Sequence, residues 1–149
     1  METHDYRSRF AREPLVEPLS ADELRDLNAH DIGFGPHIGF VITACSAERT
    51  EGYVEVGPQH LQLTGVVNGG VYASIGETIG SMAAIAAAGR PALGMSNYTD
   101  LLGGVTGGRI EAVARPVHTG KRTHLWRVEM RAGDRLAAVT NLKLMILDR

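Results

Sequence analysis

One segment restricts the fold of this chain more than any other: Val71–Ala88, with the sequence VYASIGETIGSMAAIAAA. It is rich in alanine, contains methionine and has no proline, which is typical of a helix. It has almost no polar face, so a helix formed here must be buried on nearly all sides. Gly89 and Pro91 then end it. The rest of the chain therefore has to cover one long apolar helix.

Extended runs lie on both sides of this helix in the sequence. They predict the strands Ile38–Ser46, Tyr53–Val56, Ala92–Leu102, Arg109–His118, Thr123–Arg131 and Leu136–Leu147. The links between the last four strands are short, which suits antiparallel neighbours. The fold class is therefore α+β, with a long central helix wrapped by a curved antiparallel β-sheet.

The N-terminal residues predict a separate arm. Residues 1–20 are polar, and Pro14 and Pro18 interrupt them, so we expect a loose segment. Ser20 precedes Glu23 by three positions, which is a capping-box pattern and predicts a short helix over Ala21–Asn28. Residues 21–149 then form a single domain, as the length of 149 residues allows.

Composition and charge disfavour several classes of function. The formal net charge of -2 gives no general attraction to nucleic acid. No uninterrupted apolar run reaches the roughly 18 residues of a membrane-spanning helix, so no membrane association is expected. The single cysteine, Cys45, suits a reducing compartment. Together with a charged N-terminus that lacks a signal-peptide core, this predicts a cytoplasmic protein.

Motifs of the common metal and nucleotide enzymes are missing from the sequence. The histidines form no HExxH motif and no close Cys/His cluster, so no metal site is expected. The glycine-rich stretch Gly103–Gly108 lacks the Lys-Ser/Thr of a phosphate-binding loop. The Gly-x-Ser-x-Gly motif of serine hydrolases does not occur.

Glu77 is the only acid in the apolar helix, and it is the first candidate catalytic residue. Burying a lone carboxylate is costly unless it is paired. The alternative is that Glu77 faces water along a narrow exposed edge, which the apolar neighbours Ile75 and Ile79 disfavour. Ser81 lies four residues further on, within reach of the carboxylate. Its alternative is a serine that only packs between helices.

Asn68, Gly69 and Gly70 directly precede this helix. Free amides at a helix start form an anion site, and they could hold a thioester oxygen as it gains negative charge. The alternative is simple N-capping by Asn68, and both can hold. Gly69 and Glu77 are separated by roughly 12 Å along a helix. If both act on one carbonyl they come from two subunits, which predicts a homodimer with two sites. Gly76 and Gly80 would then let the two helices approach each other.

The stretch from Gln62 to Ser81, the helix and the four-strand tail resemble the hotdog-fold acyl-CoA thioesterases of the PaaI-like group. The similarity is greatest to the type acting on 4-hydroxybenzoyl-CoA and 1,4-dihydroxy-2-naphthoyl-CoA. The stretch Pro116–Arg122, before the strand that bears Trp126, is also similar to that type. The resemblance implies that Glu77 is the catalytic acid, with Gly69 as the oxyanion glycine. It implies supporting roles for Gln62 and Ser81, and dimers that pair into tetramers.

The resemblance implies acyl-CoA as the substrate and no separate cofactor, since CoA is part of the substrate. The expected CoA-binding residues are Gly70, His118, Lys121 and Arg122. A solvated hairpin is the alternative for the last three. Glu77 would act either as a nucleophile or as a general base on water.

Two departures from the family pattern keep other functions open. Asn68 replaces the usual histidine, and the stretch Asp100–Gly104 lacks an Arg-Pro pair that relatives often carry. Asn68 can hold the loop, but it cannot titrate near neutrality. This favours a second hypothesis, a non-catalytic acyl-CoA-binding hotdog protein. A hotdog hydratase ranks lower because no histidine lies near Glu77 in sequence.

Overall fold

The computed structural model describes residues 5–149. Its helices are α1 (Ala21–His30), α2 (Phe34–His37) and α3 (Gly69–Ala88), with short 3-10 turns at Tyr6–Ser8 and Pro58–His60. Its strands are β1 (Phe40–Cys45), β2 (Thr50–Glu55), β3 (Ala92–Leu101), β4 (Arg109–Thr119), β5 (Thr123–Ala132) and β6 (Arg135–Ile146).

The strands form one antiparallel sheet in the order β1-β2-β4-β5-β6-β3, which leaves β1 and β3 at its edges. The sheet covers α3, whose Ile75, Ile79 and Ala83 are fully buried in one core with Trp126 and Met130 of β5. This is the hotdog fold, so the predicted fold class is confirmed. The helix begins two residues before its predicted start, at Gly69.

α3 is long and apolar enough to cross a membrane by length and composition alone, with a mean hydropathy of 1.2. The core helix of a globular domain passes the same test, and the buried side chains of α3 contact the sheet of their own chain.

The two helix glycines face β6. A Cβ atom at Gly76 would lie 2.2 Å from Thr140 Oγ1, and one at Gly80 would lie 2.6 Å from Leu142 Cδ2. The expectation that these glycines let two helices from two subunits approach is therefore wrong. They let α3 approach its own sheet, since a side chain at either position would meet β6.

The N-terminal segment is not the loose arm expected from its composition, within the part that the structure describes. Leu15 is fully buried; its N–H donates to Ala86 O at 2.8 Å, and its carbonyl accepts from Ala47 N at 2.8 Å. Leu19 N donates to Cys45 O at 3.0 Å. Both leucines are buried in the core and Leu15 bonds to the C-terminal end of α3, so this segment is part of the core.

The predicted capping box at the start of α1 is confirmed. Ser20 Oγ accepts from Glu23 N at 3.2 Å, and Glu23 Oε2 accepts from Ser20 N at 2.8 Å. Arg9 Nη1 lies 3.1 Å from the same carboxylate oxygen, so an ion pair ties the N-terminal segment to α1.

Candidate active site

Glu77 lies half-buried on the side of α3 that faces the edge strand β3. Its Oε2 accepts a hydrogen bond from Asn97 Nδ2 at 3.2 Å, and the same Nδ2 donates to Ala73 O at 2.9 Å. A Cβ atom at Gly94 would lie 2.5 Å from Glu77 Oε1. The carboxylate is thus held against β3, facing a hollow of about 330 Å³ that Phe34 also lines.

Asn97 is the contact that the sequence did not reveal. Within residues 5–149, Ser81 forms no hydrogen bond with Glu77, and it lines a different hollow with Tyr6 and Phe10. Side chains in a helix lean toward its N-terminus, so Glu77 leans toward Ala73 and away from Ser81. The hydrogen bond expected between Ser81 and Glu77 is therefore replaced by one from β3.

A β-bulge in β3 makes this contact possible. The pairing with β6 shifts between Gly94 and Ser96, so Met95 is an extra residue. In regular alternation Gly94 and Asn97 would point to opposite faces. The bulge restores both to the side of the helix, where Gly94 adjoins Glu77 and Leu101 adjoins Gly69.

The start of α3 forms a second hollow. Asn68 is the N-cap, as predicted, and its Oδ1 accepts from Gly70 N at 2.8 Å. The Gly70 amide, expected to bind the ligand, is thus occupied by the cap. Within residues 5–149 the Gly69 N–H has no hydrogen-bond acceptor. Gly69 lines a hollow of about 290 Å³ together with Gln62 and the buried Tyr72.

Gln62 is exposed at the edge of that second hollow, and its Nε2 donates to Thr64 Oγ1 at 2.8 Å. Glu77 lines the other hollow, two turns along the same helix. One chain therefore brings Gln62, Asn68 and Gly69 together and keeps Glu77 apart from them.

Apart from Gly70, which is in α3, the expected CoA-binding residues lie on the β4–β5 hairpin. His118, Lys121 and Arg122 are exposed, and Arg90 Nη2 donates to Lys121 O at 3.0 Å. In the sheet register, Thr123 pairs with Met145, which pairs with Leu93. The hairpin thus lies at the Gly94 end of β3, about 10 Å away across two strand spacings.

Other reactive groups contribute little to either hollow. Burial raises the pKa of the Cys45 thiol to about 11, so this cysteine is not a ready nucleophile. Residues 5–149 contain no group of three or more His, Cys, Asp or Glu side chains that could hold a metal ion.

Known proteins are similar to this chain in sequence and in fold. The family profile described as Thioesterase superfamily matches residues 64–139. A Mycobacterium tuberculosis protein named as an esterase is 34% identical to this chain over 135 residues. The alignment covers 87% of this chain and 96% of the relative. The chain belongs to the thioesterase superfamily. Another similar member is the proofreading thioesterase EntH of Cronobacter sakazakii, 29% identical over 108 residues, or 70% of this chain and 79% of EntH.

Solved structures of the superfamily superpose well on this chain. A thioesterase of Haemophilus influenzae gives a TM-score of 0.79 at 27% identity, covering 84% of this chain and 90% of the other. A variant of the phenylacetic acid degradation protein PaaI of Thermus thermophilus gives a TM-score of 0.69 at 27% identity. The match covers 76% of this chain and 98% of the PaaI chain. The resemblance to PaaI-like proteins is thus confirmed at the level of the superfamily fold.

Proposed function

We propose that this protein hydrolyses acyl-CoA thioesters, with Glu77 as the catalytic carboxylate. The observation that carries the proposal is a single acid in an apolar helix, fixed by Asn97 at the edge of the sheet. Membership of the thioesterase superfamily supports the reaction type. The free amide of Gly69 supplies a donor for the oxygen that gains charge.

The proposed site needs two chains, and the edge strand β3 offers the means to join them. Met95, Tyr98 and Leu101 are 51%, 68% and 59% exposed on this edge, an unusual surface for an unpaired strand. Suppose that two β3 strands pair antiparallel about a twofold axis at Tyr98, with Met95 left as an extra residue in each strand. Gly94 of one chain then lies opposite Leu101 of the other. Since Gly94 adjoins Glu77 and Leu101 adjoins Gly69, each Glu77 meets the Gly69 of the second copy.

The chemistry follows from these positions. The Gly69 amide polarises the thioester carbonyl, and Gln62 orients the carbonyl or the attacking water. Glu77 either attacks the carbonyl carbon, giving a mixed anhydride that water cleaves, or removes a proton from the water that attacks it. In both routes the C–S bond breaks, CoA leaves as its thiol and the acid is released. Asn68 holds the loop through its cap, and Lys121 and Arg122, with His118, contact the CoA phosphates.

An aromatic acyl group is the first choice of substrate, on the resemblance of Gln62–Ser81 and Pro116–Arg122 to the hydroxybenzoyl-CoA type, and a medium-chain acyl group is the second. Pairing of dimers into tetramers and a cytoplasmic location belong to the same proposal.

A thiol-release assay across aryl-CoA and fatty acyl-CoA substrates tests this function. Glu77→Gln should lower kcat by about a thousandfold, because the amide can neither attack nor accept a proton. Glu111→Gln, which changes an exposed glutamate on β4, is the matched control and should retain full activity. Full activity of the Glu77→Gln protein would contradict the assignment.

Asn68, in place of the usual histidine, favours a second candidate function, a non-catalytic acyl-CoA-binding protein. Isothermal titration with the same acyl-CoAs separates the two. Binding of an acyl-CoA without thiol release by the wild-type protein would support the binder and exclude the enzyme.

A further inference from the structure

Four side chains form a continuous hydrogen-bonded chain from the core to the Glu77 carboxylate. The Oγ1 atoms of Thr140 and Thr99 are 2.6 Å apart, and Thr99 Oγ1 donates to Asn97 Oδ1 at 2.7 Å. Asn97 Nδ2 in turn donates to Glu77 Oε2 at 3.2 Å. Thr140 is fully buried on β6, so the chain begins at a fixed point of the core.

The Glu77 carboxylate sets the donor and the acceptor of every hydrogen bond in this series. A carboxylate only accepts, so the amide nitrogen of Asn97 must face Glu77 and its oxygen must face Thr99. Thr99 has one hydroxyl proton, which it gives to Asn97, so it accepts from Thr140. Asn97 thus offers Glu77 a donor and no acceptor, which suits a carboxylate that acts as a nucleophile or a base.

Two irregular features of the fold make this series of hydrogen bonds possible. The bulge at Met95 brings Asn97 to the helix side of β3. Gly76 leaves the space that Thr140 fills, since a Cβ there would lie 2.2 Å from Thr140 Oγ1. A bulge and a helix glycine each weaken regular structure, and both lie beside the same four side chains.

We propose that Asn97 is a positioning residue, which holds the Glu77 carboxylate in one rotamer and is itself held by Thr99 and Thr140. This proposal rests on the function proposed above. The amide fixes the carboxylate before the substrate binds, so losing it should lower the chemical rate more than substrate binding.

Kinetics of paired variants test the proposal. Asn97→Ala should lower kcat about 30-fold with KM within about twofold of wild type, the pattern of a lost orientation. Thr99→Val removes only the hydroxyl and should lower kcat about fivefold, while Thr99→Ser retains it and should restore the rate. Asn141→Ala, on the neighbouring strand, is the matched control. Wild-type kcat in Asn97→Ala would overturn the proposal, as would equal loss in Thr99→Val and Thr99→Ser.

A second measurement does not depend on turnover. In a nitrogen-edited NMR spectrum, the side-chain amide signals of Asn97 should move in Glu77→Gln and in Thr99→Val, and stay in place in Asn141→Ala. If the wild-type protein releases no thiol, the proposed hydrolysis fails, and these signals alone decide whether Asn97 holds Glu77. Unmoved signals in both variants would overturn the positioning role.

Discussion

Gly94 leaves the space in which the Glu77 carboxylate lies. The backbone there has no positive φ, so alanine is compatible with the strand, but its Cβ would lie 2.5 Å from Glu77 Oε1. The end of a flexible side chain yields before the strand does. Gly94→Ala should therefore lower kcat at least about tenfold, while the free energy of unfolding changes by less than about 1 kcal/mol.

Steady-state kinetics and urea unfolding measure the two effects of Gly94→Ala. Gly107→Ala is a suitable control, because no atom beyond its two chain neighbours lies within 4 Å of the added Cβ. An active Gly94→Ala protein would mean that the carboxylate position seen here is not needed for turnover.

At the scale of single residues, the sequence revealed one member of the Glu77–Asn97 pair. Glu77 is conspicuous as a charge among apolar neighbours, and burial cost makes such a charge informative. Asn97 lies in a polar stretch of an edge strand, and its orientation depends on the bulge at Met95. Strand alternation alone would place it on the face opposite Gly94, so no local pattern could predict the contact.

Helix α3 was predictable as an element because its apolar composition leaves few other states. The packing role of its glycines was not predictable, because that role depends on which strand lies against them. Gly76→Ala places a Cβ against fully buried Thr140, so we expect a loss of about 2–4 kcal/mol in the free energy of unfolding. The same change should cost less in a Thr140→Gly background, which lacks the Thr140 Cβ that would lie 2.5 Å from the new one. Urea titration of the four proteins measures both costs, and an equal cost in the two backgrounds would contradict the steric cause.

The hairpin of β4 and β5 carries a buried histidine that should make stability depend on pH. Trp126 Nε1 donates to His124 Nδ1 at 3.2 Å, which requires that nitrogen to be unprotonated. Burial is the main cause that lowers the pKa of His124 below its ordinary 6.5, and the charges of His118 and Arg90 add to it. The unfolded chain then binds more protons, so this contribution to stability is present above pH 6.5 and is lost as pH falls toward the lower folded pKa.

Urea unfolding followed by Trp126 fluorescence, at a pH above and a pH below the ordinary histidine value, measures this effect. The wild-type protein should lose more stability on acidification than His124→Gln does. The exposed His37 provides the control, and His37→Gln should keep the wild-type pH dependence. Equal acid sensitivity in wild type and His124→Gln would exclude His124 as its source.

At the scale of the whole chain, pattern and length predicted the α+β class and the single wrapped helix. The same reasoning failed for residues 5–19, because the polar composition conceals two leucines that fill the core. Leu15 binds the backbone of Ala86 and Ala47, residues distant from it in sequence. Contacts of this kind depend on how the elements assemble, and local composition does not contain them.

The two separate hollows make a prediction about the assembled molecule. Glu77→Gln removes the acid. Gly69→Pro removes the amide donor, and the backbone there accepts proline because Gly69 is the first residue of α3 and Asn68 already has extended backbone. Its Cβ would lie 2.6 Å from Leu101 Cδ1, so the exposed end of that side chain must move. Each variant alone should be inactive. Gly69→Ala retains the N–H and is the control for the added side chain.

Mixing these two inactive variants tests whether one site takes residues from two chains. In a mixed dimer, one shared site combines both changes and the other combines neither. Random assortment makes half of the dimers mixed, and half of their sites are intact, so activity should return to about a quarter of wild type. A site built within one chain has no intact copy in any such dimer. Co-refolding the two variants in equal amounts and measuring thiol release therefore distinguishes the two designs, and no recovery from an assembled dimer would exclude the shared site.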